Sequence, residues 1–167
     1  MSHSRPKPER PGPGQESVWD YPRPPQLERS PALVEITFGG VQIVRTTASW
    51  RVLETSHPPV HYVPIDAVTP GVLRPSEHRS WCEWKGTAAY LDVVAGDRIE
   101  PSAAWTYPTP TDAFAGLVDH VAFYPARMDA CRLDGERVQA QAGDFYGGWR
   151  TSKVVGPFKG EPGTWGW

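Results

Sequence analysis

The chain has 167 residues, with 17 Lys and Arg against 19 Asp and Glu, so its formal net charge is -2. This length is typical of one domain rather than two. A non-specific nucleic-acid binder carries an excess of basic residues, so the near balance of charge argues against that class of protein. No apolar run approaches the roughly 20 residues of a transmembrane helix, and the first residues lack the apolar core of a secretory signal. We therefore expect a cytoplasmic protein that binds neither nucleic acid nor membranes.

Turn-forming and aromatic residues are abundant, with 19 Pro, 16 Gly and 8 Trp. Because long helical runs are few, this composition predicts a mainly β fold. Residues 1–31 are Pro-rich and polar and predict an N-terminal tail, in which the segment around Trp19 and Tyr21 partly docks on the domain as a strap. Residues 32–167 predict a single domain that ends in a glycine- and aromatic-rich strap.

Short β-rich runs follow one another from Ala32, and glycine-containing turns separate several of them. Such turns predict β-hairpins. The predicted turns are Gly39-Gly40, Lys85-Gly86, Gly96-Asp97 and Asp134-Gly135. One short helix is predicted after Thr111, which would cap it, with Phe114, Leu117 and Val118 as its apolar stripe.

The run ETSHPP, residues 54–59, places a histidine at the end of a predicted strand before two prolines. His57 titrates near neutral pH and could act as an acid or a base, with Glu54 as the group that orients it. Strand alternation puts these two side chains on opposite faces, so they meet only if the strand bends before Pro58. The alternative is that His57 bonds a backbone carbonyl and stabilises the turn.

The run WCEWKG, residues 81–86, brings a cysteine close to a lysine. Cys82 could be a nucleophile with a lowered pKa, or simply a small buried apolar residue. The chain has four lysines against 13 arginines, so Lys85 and Lys159 could serve as point charges or as titratable amines. The alternative for both is an ordinary solvated lysine.

Most aromatic side chains are expected in the core, and a subset could line a pocket for a small ligand. The candidate ligand-binding residues are Arg51, Ser56, Tyr62, Trp84, Trp105, Tyr107 and Lys159. No C-x-x-C pair is present, and His57, His61 and Cys82 do not have the spacing of a metal motif. The sequence therefore predicts neither a metal nor a cofactor.

The blocks RVLETSHPPVHYVP, WCEWKG, AAWTYP, VAFYP, FYGGW and GPFKGEPGTWGW, in this order over residues 50–167, resemble the bacterial family called domain of unknown function 427. VWDYPRPP and the glycine-rich end look like its actinobacterial branch. The resemblance implies a compact β-tent-like fold of two small antiparallel sheets. The family also carries a nucleotidyltransferase label, but that reaction needs paired carboxylates and a phosphate loop. The predicted strands carry neither, so the resemblance implies a fold and not a reaction.

Two functions remain open from the sequence. The first is a binding module, in which the ETSHPP and CxxKG motifs form a pocket for a small polar or anionic molecule. The second is an enzyme that uses His57 as acid or base, Cys82 or Lys85 as nucleophile or electrostatic anchor, and Glu54 as the orienting group. The enzyme requires His57 within hydrogen-bond reach of Cys82 or Lys85. A homodimer is left open.

Overall fold

The structure is a computed structural model that describes residues 5–143 and 145–167. The first four residues of the predicted tail and Asp144 of the predicted domain lie outside the described residues. The strands are β1 (Glu16–Ser17), β2 (Gln26–Ser30), β3 (Val34–Phe38), β4 (Val41–Thr46), β5 (Ser49–Leu53), β6 (Val60–Pro64), β7 (Leu73–Cys82), β8 (Gly86–Ala95), β9 (Arg98–Thr106), β10 (His120–Phe123), β11 (Ala130–Leu133), β12 (Glu136–Arg137), β13 (Gln139–Ala140), β14 (Trp149–Arg150) and β15 (Val154–Val155). The 3-10 helices are Val18–Asp20, Ile65–Ala67, Asp112–Leu117 and Pro125–Arg127.

The chain is mainly β and forms a single domain, as the sequence predicts. Its larger sheet has seven antiparallel strands in the order β2-β5-β6-β10-β9-β8-β7, and a smaller sheet has the order β12-β11-β3-β4. Two ribbons, parallel β1-β15 and antiparallel β13-β14, complete the sheets of the described residues. The resemblance implies two small antiparallel sheets, whereas one of the two main sheets here has seven strands. The predicted hairpin turns separate β3 from β4, β7 from β8, β8 from β9, and β11 from β12.

Apolar side chains cover both faces of the larger sheet, because successive residues of a strand point to opposite sides. On β10, Val121 and Phe123 belong to a core shared with the smaller sheet, while Ala122 faces a second apolar cluster. On β6, Val63 and Tyr62 divide in the same way. The second cluster contains many aromatic rings and lies beside the candidate site described below.

The segment before Ala32 is joined to the larger sheet. Residues 26–30, which the sequence assigns to the tail, form the edge strand β2, paired with β5 from Gln26 opposite Leu53 to Ser30 opposite Ser49. Upstream of it, Trp19 is buried, and its indole N–H donates to the carbonyl oxygen of Pro157 at 2.9 Å.

The predicted helix is a distorted 3-10 helix, Asp112–Leu117, in which Phe114 has non-helical dihedral angles. Phe114 and Leu117 are buried as predicted, whereas Val118 is exposed. Thr111 stands at the N-cap position as predicted, but its hydroxyl accepts no bond from the helix and instead donates to the Trp84 carbonyl oxygen. None of the helices in the described residues is long and apolar enough to cross a membrane.

Two hairpin turns from different sheets meet backbone to backbone. A Cβ atom on Gly39, which has a φ of +60°, would lie 2.2 Å from the Ala95 carbonyl oxygen. A Cβ on Gly96 would lie 2.8 Å from the Gly39 carbonyl oxygen. Only glycine combines a positive φ with so close an approach, so this contact fixes the β3–β4 turn against the β8–β9 turn.

We expect Gly39→Ala to lower the free energy of unfolding by more than Gly40→Ala, as measured by urea denaturation. Gly40 has a similar φ of +75°, but a Cβ there meets nothing within 4 Å. Gly40→Ala therefore carries only the left-handed backbone penalty, about 1–2 kcal/mol, whereas Gly39→Ala adds the overlap with Ala95. Equal losses in the two variants would contradict the turn-to-turn contact.

Candidate functional site

The ETSHPP corner and the β7–β8 turn line one cleft of about 460 Å³. A cleft of this size is within the usual range for small-molecule sites. The predicted site residues that line it are Glu54, His57, Tyr62, Cys82, Trp84, Lys85, Trp105, Tyr107 and Lys159. The fold thus brings most of the sequence candidates together, although their roles stay predictions.

The chain bends within the ETSHPP corner before Pro58, which is the condition for Glu54 to meet His57. Strand β5 ends at Leu53, and Ser56 has a φ of 72°, which turns the chain before Pro58. The His57 backbone N–H donates to the Glu54 carbonyl oxygen at 3.0 Å. As a result, Glu54 Oε2 lies 3.5 Å from His57 Nε2.

Gln141 fixes the tautomer of His57. The Gly148 backbone N–H donates to Gln141 Oε1 at 3.2 Å, and Gln141 Nε2 donates to the Lys159 carbonyl oxygen at 2.7 Å. These backbone partners distinguish the oxygen of the amide from its nitrogen. The atom next to His57 Nδ1, at 3.0 Å, is therefore the nitrogen Nε2, which donates to it. His57 Nδ1 is therefore an acceptor, and the neutral ring carries its proton on Nε2, toward Glu54.

Burial lowers the pKa of His57 to about 4, with the positive charges of Lys159, Arg23 and Lys85 acting in the same direction. The carboxylate of Glu54 opposes this change by raising the pKa. The burial effect is larger because an imidazolium loses hydration inside the protein. His57 is consequently neutral at pH 7.

Lys85 is positioned by the turn between β7 and β8. Its carbonyl oxygen accepts from the Thr111 backbone N–H at 3.1 Å, which ties the turn to the start of the 3-10 helix. Its Nζ lies 5.8 Å from the ring centroid of Tyr107 and 5.9 Å from that of Phe114. The ammonium group is thus placed beside two aromatic rings, where cation–π attraction is favourable.

Aromatic rings form the interior of the cleft. Trp105 Nε1 donates to the Tyr62 hydroxyl at 3.2 Å, and the Trp105 and Tyr124 rings are 4.6 Å apart between centroids. Burial raises the pKa values of Tyr62 and Tyr107. These hydroxyl groups therefore stay protonated and offer hydrogen bonds without adding charge.

Two predicted ligand-binding residues lie outside the cleft. The Arg51 guanidinium contacts the carboxylates of Glu16 and Glu28, each at 2.7 Å, so its donors are used within the fold. Ser56 is fully buried; its N–H donates to the carbonyl oxygen of Val18, and its own carbonyl oxygen accepts from the Lys159 N–H. Both residues have structural contacts, and we leave them out of the candidate site.

No grouping of three or more His, Cys, Asp or Glu side chains suited to a metal ion is found within residues 5–143 and 145–167. His61 is buried against the Trp149 ring, with centroids 5.1 Å apart. It does not line the cleft that contains His57 and Cys82.

Trp81 and Tyr146 were among the aromatic residues expected in the core or in a pocket, whereas Gln141, Phe145 and Gly147, which also line the cleft, were missed. Gln141 carries no signal in the sequence, because a lone glutamine just after a two-residue strand matches no motif. Gly147 belongs to the FYGGW block, and a Cβ there would lie 2.3 Å from the Trp105 ring. The glycines beside aromatic residues in FYGGW could therefore have indicated that this segment packs closely against the cleft.

The sequence profile of the family described as domain of unknown function (DUF427) matches residues 26–134. The chain belongs to this family. The DUF427 match includes the ETSHPP corner and the β7–β8 turn, whereas Gln141, Tyr146 and Lys159 lie beyond it. No curated protein matches this DUF427 chain.

The neutral, buried state of His57 gives a pH prediction. In the unfolded chain His57 takes up a proton near its ordinary pKa of 6.5, whereas in the folded protein it does so only near pH 4. The free energy of unfolding should therefore be highest above pH 6.5 and fall as the pH drops toward 4, by up to about 1.4 kcal/mol per pH unit from this residue.

Denaturation of the wild type and of His57→Gln across this pH range checks the prediction, and the variant should have a shallower slope. Some slope remains in the variant, because burial also lowers the pKa of His61, to about 3. Nitrogen-15 NMR of the wild type should show the proton on Nε2 at pH 7. A protonated His57 ring at pH 6 would contradict the assignment.

Proposed function

We propose that the cleft binds a small polar or anionic molecule, held by the Glu54–Pro59 corner and the Cys82–Gly86 turn. The observation that carries this proposal is the unpaired ammonium of Lys85. Within the described part of the chain, Lys85 Nζ has no carboxylate within 4 Å and no hydrogen-bond acceptor. A partly buried cation beside two aromatic rings gains most from an added acceptor, and an anion is the strongest one.

The other charges around Lys85 also favour an anion. The Glu54 carboxylate is balanced by Arg23, whose NH2 lies 3.3 Å from Oε2. His57 is neutral, and Lys159 adds a second positive charge to the lining. Glu83 is the other acidic residue of the lining, and it is exposed to solvent, where its field is screened.

The contacts of His57 support binding more than turnover. Its Nδ1 accepts from Gln141 and its Nε2 faces Glu54. Among the described residues, neither ring nitrogen makes a hydrogen bond to Cys82 or Lys85. The pairing of a base with a nucleophile, which the enzyme hypothesis requires, is therefore not formed.

A larger groove of about 600 Å³ lies beyond Lys159, but neither the ETSHPP corner nor the β7–β8 turn lines it. It contains acidic as well as basic side chains, and Ser152 donates both its N–H and its hydroxyl to Glu136 there. We place the proposed site in the smaller cleft, because the candidate residues converge on it.

Two carboxylates and their matching amides test the proposal: benzoate with benzamide, and cyclohexanecarboxylate with cyclohexanecarboxamide. We expect each carboxylate to bind the wild type about tenfold more tightly than its amide, as measured by NMR titration, since a charged hydrogen bond contributes roughly 1.5–3 kcal/mol. Lys85→Gln should remove this preference.

Lys153→Gln is the matched control, because Lys153 is exposed and lies outside the cleft. It should keep the carboxylate preference. Equal binding of acids and amides by the wild type, or an unchanged preference in Lys85→Gln, would refute the proposal. Native mass spectrometry of the purified protein should also detect a bound acidic molecule that Lys85→Gln loses.

A further inference from the structure

Two large aromatic side chains are exposed at the mouth of the cleft. Trp81 is 74% exposed and Phe145 is 73% exposed, and both line the cleft. They come from separate segments, Trp81 from the end of β7 and Phe145 from the connection between β13 and β14. Neither is needed to fill the core, so their shared position at one opening requires another explanation.

Further rings connect the mouth to the polar groups inside. The Phe145 and Tyr146 rings are 5.5 Å apart between centroids, and Tyr146 lies 5.3 Å from the His57 ring. Trp84 also lines the cleft and lies one residue before Lys85. The cleft therefore combines two exposed aromatic side chains with the half-buried Lys85.

We infer that the cleft takes a planar aromatic or heteroaromatic ring that carries an oxyanion such as a carboxylate. The ring packs against Trp81 and Phe145, and the oxyanion contacts Lys85. This inference rests on the proposed anion site and adds the class of ligand to it. The cleft volume of about 460 Å³ suits a small molecule of this kind.

The planar ring follows from the chemistry of the exposed side chains. Indole and phenyl rings attract other rings through offset-stacked or edge-to-face contacts, beyond the burial of apolar area. A saturated ring of the same size gains the burial but not this added attraction. The side chains at the mouth should therefore distinguish flat rings from puckered ones, while Lys85 distinguishes acids from neutral molecules.

Benzoate and cyclohexanecarboxylate test the inference, because they share the carboxylate and differ in the ring. We expect the wild type to bind benzoate at least about threefold more tightly than cyclohexanecarboxylate in NMR titrations. Trp81→Leu and Phe145→Leu, which keep apolar bulk without a ring, should reduce this ratio toward one. Trp81→Phe should retain most of it.

Trp165→Leu is the matched control, since Trp165 is 86% exposed and does not line the cleft. It should bind both acids as the wild type does. Because all three positions are exposed, these variants should fold normally, which circular dichroism checks.

The two proposals fail in different ways. If both acids bind equally, but each more tightly than its amide, the ring inference is overturned and the anion site stands. If neither acid is preferred over its amide, the anion site itself is refuted. A benzoate preference that persists in both Trp81→Leu and Phe145→Leu would overturn the assignment of the ring to the mouth.

Discussion

The Gln141 side chain joins three segments around the cleft. Its amide donates to His57 Nδ1 and to the Lys159 carbonyl oxygen, and it accepts from the Gly148 N–H. Gln141 is itself buried, so breaking any of these bonds would leave a polar group without a partner inside the protein. The orientation of His57 and the course of the chain at Lys159 therefore depend on the same buried amide.

Burial also shifts the pKa values of cleft groups. It lowers the pKa of His57 to about 4, so the ring is neutral at pH 7, and it raises the pKa values of Tyr62 and Tyr107 further above neutral pH. The Glu54 carboxylate is paired with Arg23 at 3.3 Å. The Lys85 ammonium has no protein partner among the described residues, and the rings of Tyr107 and Phe114 lie beside it. The proposed preference for an anion rests on this unpaired charge.

Local patterns in the sequence were sufficient to predict much of the fold. The mainly β character and the hairpin turns follow from alternation and from glycine-containing turns, which act over a few residues. The position of β2 was missed because Gln26–Ser30 follows a proline-rich run, and its pairing with β5 is a long-range contact. The predicted helix is a distorted 3-10 helix, and the bond from Thr111 to Trp84 joins segments 27 residues apart, which no local pattern specifies.

The candidate site was predicted where its residues form compact motifs, as in the ETSHPP corner and the β7–β8 turn. Arg51 was predicted to bind a ligand, but its two carboxylate partners, Glu16 and Glu28, come from other parts of the sequence. The bond between Gln141 and His57 joins residues 84 positions apart. No periodicity specifies such a contact, so only the folded chain could show it.

The contact between the Gly39 and Gly96 turns limits how this protein can vary in length. The two turns belong to different sheets and are in backbone contact, so neither has space for an added residue on the side that faces the other. A residue inserted into one turn would push the sheets apart unless the other turn changed with it. Relatives with longer loops should therefore carry the extra residues at open turns such as Asp134-Gly135, where a Cβ on the glycine meets nothing within 4 Å.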